Sequence, residues 1–226
     1  MNNTSALVLL SGGQDSTTCL YWAKENFKDV SVLNIWYGQR HAVEIEAAKK
    51  IARLADVSYT SFKTTLFQEI GDSALVKSGK ISSHHRGSDK LPASFVPGRN
   101  IVFLTVASII AYKQGIQNIV TGVCQTDYSG YPDCREQTIK SLEKTLSLGM
   151  EYQFSIHTPL MYLTKKETVE MAMNLPGCVD ALSYSHTCYE GKAPPCGKCP
   201  ACILRAKGFL EAGIPDPLIK RLYIGE

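Results

Sequence analysis

The order of apolar and polar positions divides the 226-residue chain into alternating strands and helices. Ala6 to Leu10 (ALVLL) is a continuous apolar run. It is too short for a helix and is broken at once by Gly12 and Gly13, which predicts a strand buried on both faces of a parallel sheet. Asp15 and Ser16 then open a helix carrying Cys19, Leu20, Trp22 and Ala23. An acid and a hydroxyl in the first turn are expected to satisfy free backbone N–H groups and to match the positive end of the helix dipole. Val30 to Tyr37 predicts a second buried strand. Arg40 to Leu54 predicts an amphipathic helix through Val43, Ile45, Ala47, Ala48, Ile51 and Leu54, and Ser58 to Phe62 a third strand. A β-α-β-α-β order implies a parallel sheet with right-handed crossovers.

Residues 64–95 interrupt this rhythm with Ser, Gly, Lys and His around GKISSHHRGSDKLPAS. A solvated insertion is one reading; a lid over the site is favoured, because long loops in compact domains are often functional. Ile101 to Gln114 is apolar almost all round and is expected to be a buried helix. Asn118 to Val123 predicts a strand, Cys124 to Arg135 the loop at its carboxyl end, Glu136 to Leu148 a helix, and Ser155 to Leu160 a short strand and turn. Thr164 with Glu167 three residues on has the form of a capping box. The expected fold class is α/β, a doubly wound parallel sheet over residues 1–180, with a small C-terminal cysteine-bearing segment over residues 181–226 packed on it. Ligands of open α/β sheets sit at the carboxyl ends of strands, so the SGGQDS turn (residues 11–16) and the Cys124–Arg135 loop are expected to face one pocket.

Composition narrows the function. A net charge of +3, with 44% hydrophobic and 20% charged residues, is too mild for wholesale nucleic-acid binding. No basic-plus-apolar leader or membrane-length apolar run appears, so a soluble cytoplasmic protein is expected, with neither nucleic acid nor membrane as partner. Eight cysteines in a reducing compartment point to metal or redox chemistry rather than a disulfide framework. Four of them, Cys188, Cys196, Cys199 and Cys202, fall within one short stretch, the last three as CGKCPAC. Four thiolates bent together by Gly and Pro suit a closed, structural tetrahedral Zn²⁺ site, with Cys202 coming from the first turn of a following helix. Disulfides and a redox C-x-x-C suit the pattern less, and an iron–sulfur cluster is the serious rival. Cys19, Cys124, Cys134 and Cys178 read as ordinary buried or lining residues.

The first strand, its glycine turn and the helix behind it form the arrangement that holds phosphate, since glycines let backbone N–H groups approach an anion at a helix N-terminus. The turn is neither G-x-x-x-x-G-K-[ST] nor G-x-G-x-x-G. SGGQDS resembles the pyrophosphate loop of the adenylating ATP pyrophosphatases, the PP-loop family, which split ATP between its α- and β-phosphates.

Further stretches sharpen this. SGGQDSTTCL, Gln39 to His41 (QRH), Phe95 to Asn100 (FVPGRN), GVCQTDYSGYPDCR, His157 to Leu160 (HTPL), TCY, CGKCPAC and LRAKGF together resemble the 7-cyano-7-deazaguanine synthase family of queuosine biosynthesis. The resemblance runs from Ala6 to about Pro217; the 64–94 insertion and His186 in SYSHTCY depart from it. It implies an adenine nucleotide alpha hydrolase-like fold. It also implies a ligase that converts 7-carboxy-7-deazaguanine and ammonia to the nitrile, with ATP and Mg²⁺ as co-substrate, and a structural zinc on Cys188, Cys196, Cys199 and Cys202. The implied ATP-binding residues are Leu10, Ser11, Gly12, Gly13, Gln14, Asp15, Ser16, Thr17 and Thr18, with Asp15 and Ser16 closest to the chemistry and Asp15 a candidate Mg²⁺ ligand. Arg99 and Lys165 are candidates for phosphate or carboxylate, Asp127 and Asp133 for the base edge, and Tyr131 or Tyr128 for stacking. The length leaves no room for a glutamine-hydrolysing domain, so free ammonia is the expected nitrogen source, and a homodimer is expected. The alternatives are a PP-loop enzyme that thiolates tRNA and a non-enzymatic zinc module retaining a nucleotide fold.

Overall fold

The computed structural model describes residues 4–38, 43–70, 84–85, 88–92, 95–126 and 131–224. Five strands, β1 (Ser5–Leu9), β2 (Asp29–Trp36), β3 (Ser58–Lys63), β6 (Asn118–Val120) and β7 (Ser155–His157), form one sheet in the order β3-β2-β1-β6-β7. Every neighbouring pair is parallel, with Ala6 opposite both Val30 and Asn118. The helices are α1 (Gln14–Asn26), α2 (Val43–Leu54), α3 (Leu66–Ile70), α4 (Arg99–Gln114), α5 (Glu136–Gly149), α6 (Lys165–Met173), α7 (Cys178–Leu182), α8 (Pro200–Glu211) and α9 (Pro217–Ile224).

The apolar run of β1 is buried on both faces because it lies in the middle of the sheet. Ala6 and Val8 join one core with Leu20 of α1, Ile51 of α2, Val169 of α6, Leu182 of α7 and Phe209 of α8. Leu7 joins the opposite core with Leu33, Ile119 and Ile156, under Leu104 of α4 and Ile139 of α5. Helices thus cover both faces, as a parallel sheet requires. After β3 the chain returns through α4 to the other side of β1, so the strand order reverses between β1 and β6. A crevice opens at such a reversal, where two connections leave the sheet in opposite directions.

Two expectations need correction. The apolar helix α4 is not buried all round: Leu104, Ala107 and Ala111 face the core, while Ile109 is 48% and Tyr112 51% exposed. Its residue types carry no polar stripe to mark the outer face. The insertion, expected without regular structure, contains a short antiparallel pair, β4 (His84–His85) with β5 (Ser88–Pro92). A two-residue strand paired with a five-residue one is too short to leave an apolar alternation to read. Residues 71–83, 86–87 and 93–94 of the expected lid lie outside the described residues, as do Gln39 to His41. The capping box at α6 forms as read, with the Thr164 hydroxyl accepting from the Glu167 N–H and the Glu167 carboxylate accepting from the Thr164 N–H. Among the described residues, no helix is long and apolar enough to cross a membrane.

Candidate functional site

The turn between β1 and α1 is built around Gly12. Its φ of +91° is a left-handed conformation, and a Cβ there would lie 2.4 Å from the Glu44 carbonyl oxygen and 2.8 Å from the Ala48 nitrogen. Only glycine lets the turn rest against the backbone of α2. Side chains inside the turn lock it. The Ser11 N–H donates to Ser16 Oγ at 3.2 Å, the two serine hydroxyls are 2.9 Å apart, and Thr17 Oγ1 donates to the Gly13 carbonyl at 2.7 Å. The Thr18 hydroxyl bonds the Gln14 carbonyl, so both threonines, fully buried, brace the first turn of α1 from behind.

The expectation that Asp15 and Ser16 cap α1 is corrected. Gly13 is the N-cap and no side chain caps it. Asp15 is drawn instead to the Lys165 ammonium, with Nζ 2.6 Å from Oδ2, because a cation is a stronger partner than a neutral N–H. Ser16 is engaged by Ser11. The amino end of α1 therefore keeps N–H groups without a side-chain cap, with the helix dipole behind them. The other carboxylate oxygen of Asp15 and Nε2 of Gln14 are buried without a hydrogen-bond partner among the described residues. Such groups are costly to bury unpaired and mark places where a ligand supplies the partner. Gly122, at the end of β6, lets that strand approach the same turn, since a Cβ there would be 3.1 Å from the Ser16 nitrogen.

A cavity of about 310 Å³ opens at this point. The turn residues Leu10, Ser11, Gly13, Gln14, Asp15 and Ser16 form one wall, and Thr121 to Cys124 continue it. The far end is aromatic and cationic. Tyr37, Phe103 and Tyr131 surround Arg99, whose guanidinium carbon is 5.9 Å from the ring centres of both tyrosines and whose Nη1 donates to the Tyr37 hydroxyl at 3.5 Å. Burial alone pulls the Arg99 pKa down, but the electrostatics of Tyr37, Tyr131, Tyr189 and Asp133 outweigh it and leave it raised, so the cation persists. Burial raises the Tyr37 pKa, with Arg99 opposing. Tyr131 is anchored by Phe95, 5.5 Å away. The third wall, His186 to Tyr189, comes from the C-terminal quarter, and the His186 N–H donates to the Gly12 carbonyl at 2.8 Å.

Arg99 and Tyr131 thus share a cavity with the phosphate-type turn, and Lys165 reaches it through Asp15. Asp133, expected at a base edge, is 4% exposed and accepts the Asn100 N–H at 2.9 Å, which holds the start of α4 in place. Asp127 and Tyr128 lie outside the described residues. Cys124 and Cys134 line the cavity, while Cys19 and Cys178 lie in the core. Tyr37 and Phe103 were not singled out from sequence; the available signal was Tyr37's place at the carboxyl end of β2. Asn34, 1% exposed, was missed as well, and its side chain holds the Leu10 carbonyl at 2.8 Å.

Cys188, Cys196, Cys199 and Cys202 converge, with all four Sγ atoms within 4.8 Å of one another. A tetrahedral ion with metal–sulfur bonds of about 2.3 Å needs sulfurs about 3.8 Å apart. Cys196 and Cys202 are 3.9 Å apart. Backbone N–H groups of Cys196 and Cys199 donate to the sulfurs of Cys188 and Cys196, at 3.4 and 3.3 Å. Desolvation works against ionising Cys196, but the N–H groups of Lys198 and Cys199 outweigh it and bring its pKa down to about 6. Burial raises Cys199 and Cys202, which a cation would reverse. The donor set fits one metal ion held entirely by protein. One turn beyond Cys202 on α8, Arg205 of the LRAKGF stretch is 3% exposed, and the sequence assigned it no role. It makes a two-pronged pair with Asp216 at 2.6 and 2.8 Å and donates to the Ser185 and Thr187 hydroxyls at 2.7 and 3.1 Å and to the Leu182 carbonyl at 3.2 Å.

Comparison with known proteins agrees with this picture. The family model described as Queuosine biosynthesis protein QueC matches residues 5–213. A 7-cyano-7-deazaguanine synthase of Laribacter hongkongensis is 56% identical over 220 residues, covering 96% of this chain and 95% of that protein. One of Chromobacterium violaceum is 55% identical over 227 residues, covering 98% of this chain and 97% of that protein. A solved 4-thiouridine synthetase–RNA complex with bound ATP is similar in fold, with a TM-score of 0.51 at 17% identity over 98% of this chain and 53% of that one. At that identity the likeness concerns the fold alone. A parallel sheet with a glycine turn at its switch point, a convergent cysteine quartet, and relatives of this similarity over nearly the whole length lead to one conclusion: the chain belongs to the queuosine biosynthesis QueC family.

Proposed function

We propose that this protein is an ATP-dependent ligase that converts 7-carboxy-7-deazaguanine and ammonia to 7-cyano-7-deazaguanine, releasing AMP and pyrophosphate. The observation that carries the reading is the SGGQDS turn at the β1–β6 switch point, in a chain whose relatives bear the synthase name. A carboxylate is a poor acyl donor because its leaving group would be oxide. Transfer of AMP to it makes the leaving group a phosphate ester, and charge develops on the departing pyrophosphate. The backbone N–H groups at the uncapped amino end of α1 are suited to that charge. Ammonia then displaces AMP to give the amide. A second adenylation, on the amide oxygen, lets loss of AMP and two protons leave the nitrile. No nucleophilic serine or cysteine is required, and positioning with electrostatics carries the rate.

At the opposite end of the cavity, the buried cation of Arg99 is suited to the substrate carboxylate, and the Tyr37, Phe103 and Tyr131 rings to a flat heterocycle. Mg²⁺ supplies charge neutralisation along the polyphosphate when bound, and the unpartnered Asp15 carboxylate oxygen is the group suited to hold it. Zn²⁺ is the ion proposed for the cysteine quartet, in a structural role that fixes the His186–Tyr189 wall. A cytoplasmic homodimer completes the proposal; the exposed Ile109 and Tyr112 on α4 supply apolar surface for a second copy.

A tRNA-thiolating activity is less well supported, because thiol relay needs reactive cysteines and the four clustered ones already converge on one point. The test is to mix protein, ATP, Mg²⁺, ammonium and the carboxy-deazaguanine and look for the nitrile by mass spectrometry. Formation of AMP with the nitrile is expected. Formation of ADP, or no product under conditions where ATP binds, refutes the assignment.

A further inference from the structure

We propose that Arg205 is a positioning residue for the phosphate-binding turn: it holds the wall segment whose backbone grips Gly12, and so sets the affinity for the ATP polyphosphate from outside the cavity. The chain of contacts is short. Arg205 Nη1 holds the hydroxyls of Ser185 and Thr187, the residues on either side of His186. The His186 N–H holds the Gly12 carbonyl. Arg205 itself cannot shift, because its other donors are fixed by both carboxylate oxygens of Asp216 and by the Leu182 carbonyl. The planar fork fills five directions at once, which lysine cannot do. The same helix reaches the turn a second way. Gly208 lets α8 lie against Lys165, where a Cβ would be 2.9 Å from Lys165 Cβ, and Lys165 holds Asp15.

This geometry separates two roles within α8. Cys202 on its first turn belongs to the cysteine quartet, whereas Arg205, one turn on, faces the wall and contacts none of the four sulfurs through the bonds described. Loosening Arg205 should therefore leave the metal in place while letting Ser185 to Thr187 drift and the Gly12 carbonyl lose its fixed donor. The backbone N–H groups of the turn would then no longer converge, and a pyrophosphate needs several of them at once.

The inference rests on the reading of residues 11–16 as the pyrophosphate site. It is tested on the full-length, metal-loaded protein with Arg205→Lys and Ser185→Ala. Ser185 is fully buried, does not line the cavity, and its loss removes one bond of the relay while the Arg205–Asp216 pair stays. Three quantities are read: metal per chain, ATP and pyrophosphate affinity by calorimetry, and the split between KM for ATP and kcat. Arg205→Lys is expected to weaken ATP and pyrophosphate binding about tenfold or more, and Ser185→Ala about threefold, with metal content unchanged and kcat at saturating ATP within about twofold. A merely structural role would lower the folded fraction and so the apparent kcat, leaving KM where it was. Wild-type affinity in a folded Ser185→Ala variant, or loss of kcat with unchanged KM, overturns the role of Arg205 while the site reading stands. Failure of the wild-type protein to bind either ATP or pyrophosphate overturns the site reading and this inference with it.

Discussion

Replacing Gly12 by alanine tests whether the turn is held by close backbone approach. The new methyl meets two obstacles. Its φ of +91° strains an L-residue, and its Cβ would sit 2.4 Å from the Glu44 carbonyl oxygen and 2.8 Å from the Ala48 nitrogen. Both atoms belong to the backbone of α2, so no side chain can swing aside. The conformational penalty is about 1–2 kcal/mol, and forcing apart packed backbone adds about 1–3 kcal/mol. Together they remove about 2–5 kcal/mol from a domain whose total is about 5–15 kcal/mol. For a chain of this size that is a fall in Tm centred near 10 °C, at about 2–4 °C per kcal/mol. Gly115 is the control, with a φ of +70° and nothing within 4 Å of an added Cβ. Alanine there should cost only the conformational part, about 1–2 kcal/mol, and lower Tm by roughly 2–8 °C. Differential scanning calorimetry of both variants, with and without ATP, gives the comparison. If Gly12→Ala melts with Gly115→Ala and keeps its ATP-induced rise in Tm, the turn is not seated against α2 as described.

Three further outcomes are expected. Asp15→Asn removes the partner of Lys165 and an oxygen suited to the metal–nucleotide complex, so kcat/KM should fall by about a hundredfold or more in a steady-state assay of pyrophosphate release. Cys202→Ser should cut metal per chain, measured by elemental mass spectrometry, and lower Tm, because three thiolates cannot close a four-ligand site. Desolvation holds the His157 pKa below its ordinary value, Lys140 adding to the fall and Glu143 opposing it. The unfolded chain therefore takes up that proton first, and His157's contribution to stability is whole above about pH 6.5 and is lost as pH falls through that value toward the lowered one. His157→Gln should flatten Tm against pH between about 7 and 5 relative to the wild type.

What the residue pattern revealed and what it hid have physical causes. β1 and β2 were legible because central strands of a parallel sheet are wet on neither face, and the α6 cap because its two partners are three residues apart. The cysteine quartet was legible for the same reason of proximity. The outer face of α4 was not, since Ile109 and Tyr112 look like core residues wherever they point. The partners of Asp15 and Asp133, Lys165 and Asn100, were not legible, because they come from distant helices that no local spacing announces. Arg205 stands in the quoted LRAKGF, but its role was hidden, because its acceptors at Leu182, Ser185, Thr187 and Asp216 share no helical or strand period.

The crevice takes one wall from residues 11–16 and another from residues 186–189, far apart in the order of synthesis. A nascent chain leaving the ribosome therefore exposes β1 and α1 early, yet has no closed binding site until residues 186–189 have emerged. Nucleotide cannot act as a template for early folding, so the first half must survive on its own hydrophobic burial while its glycine turn stays open to water.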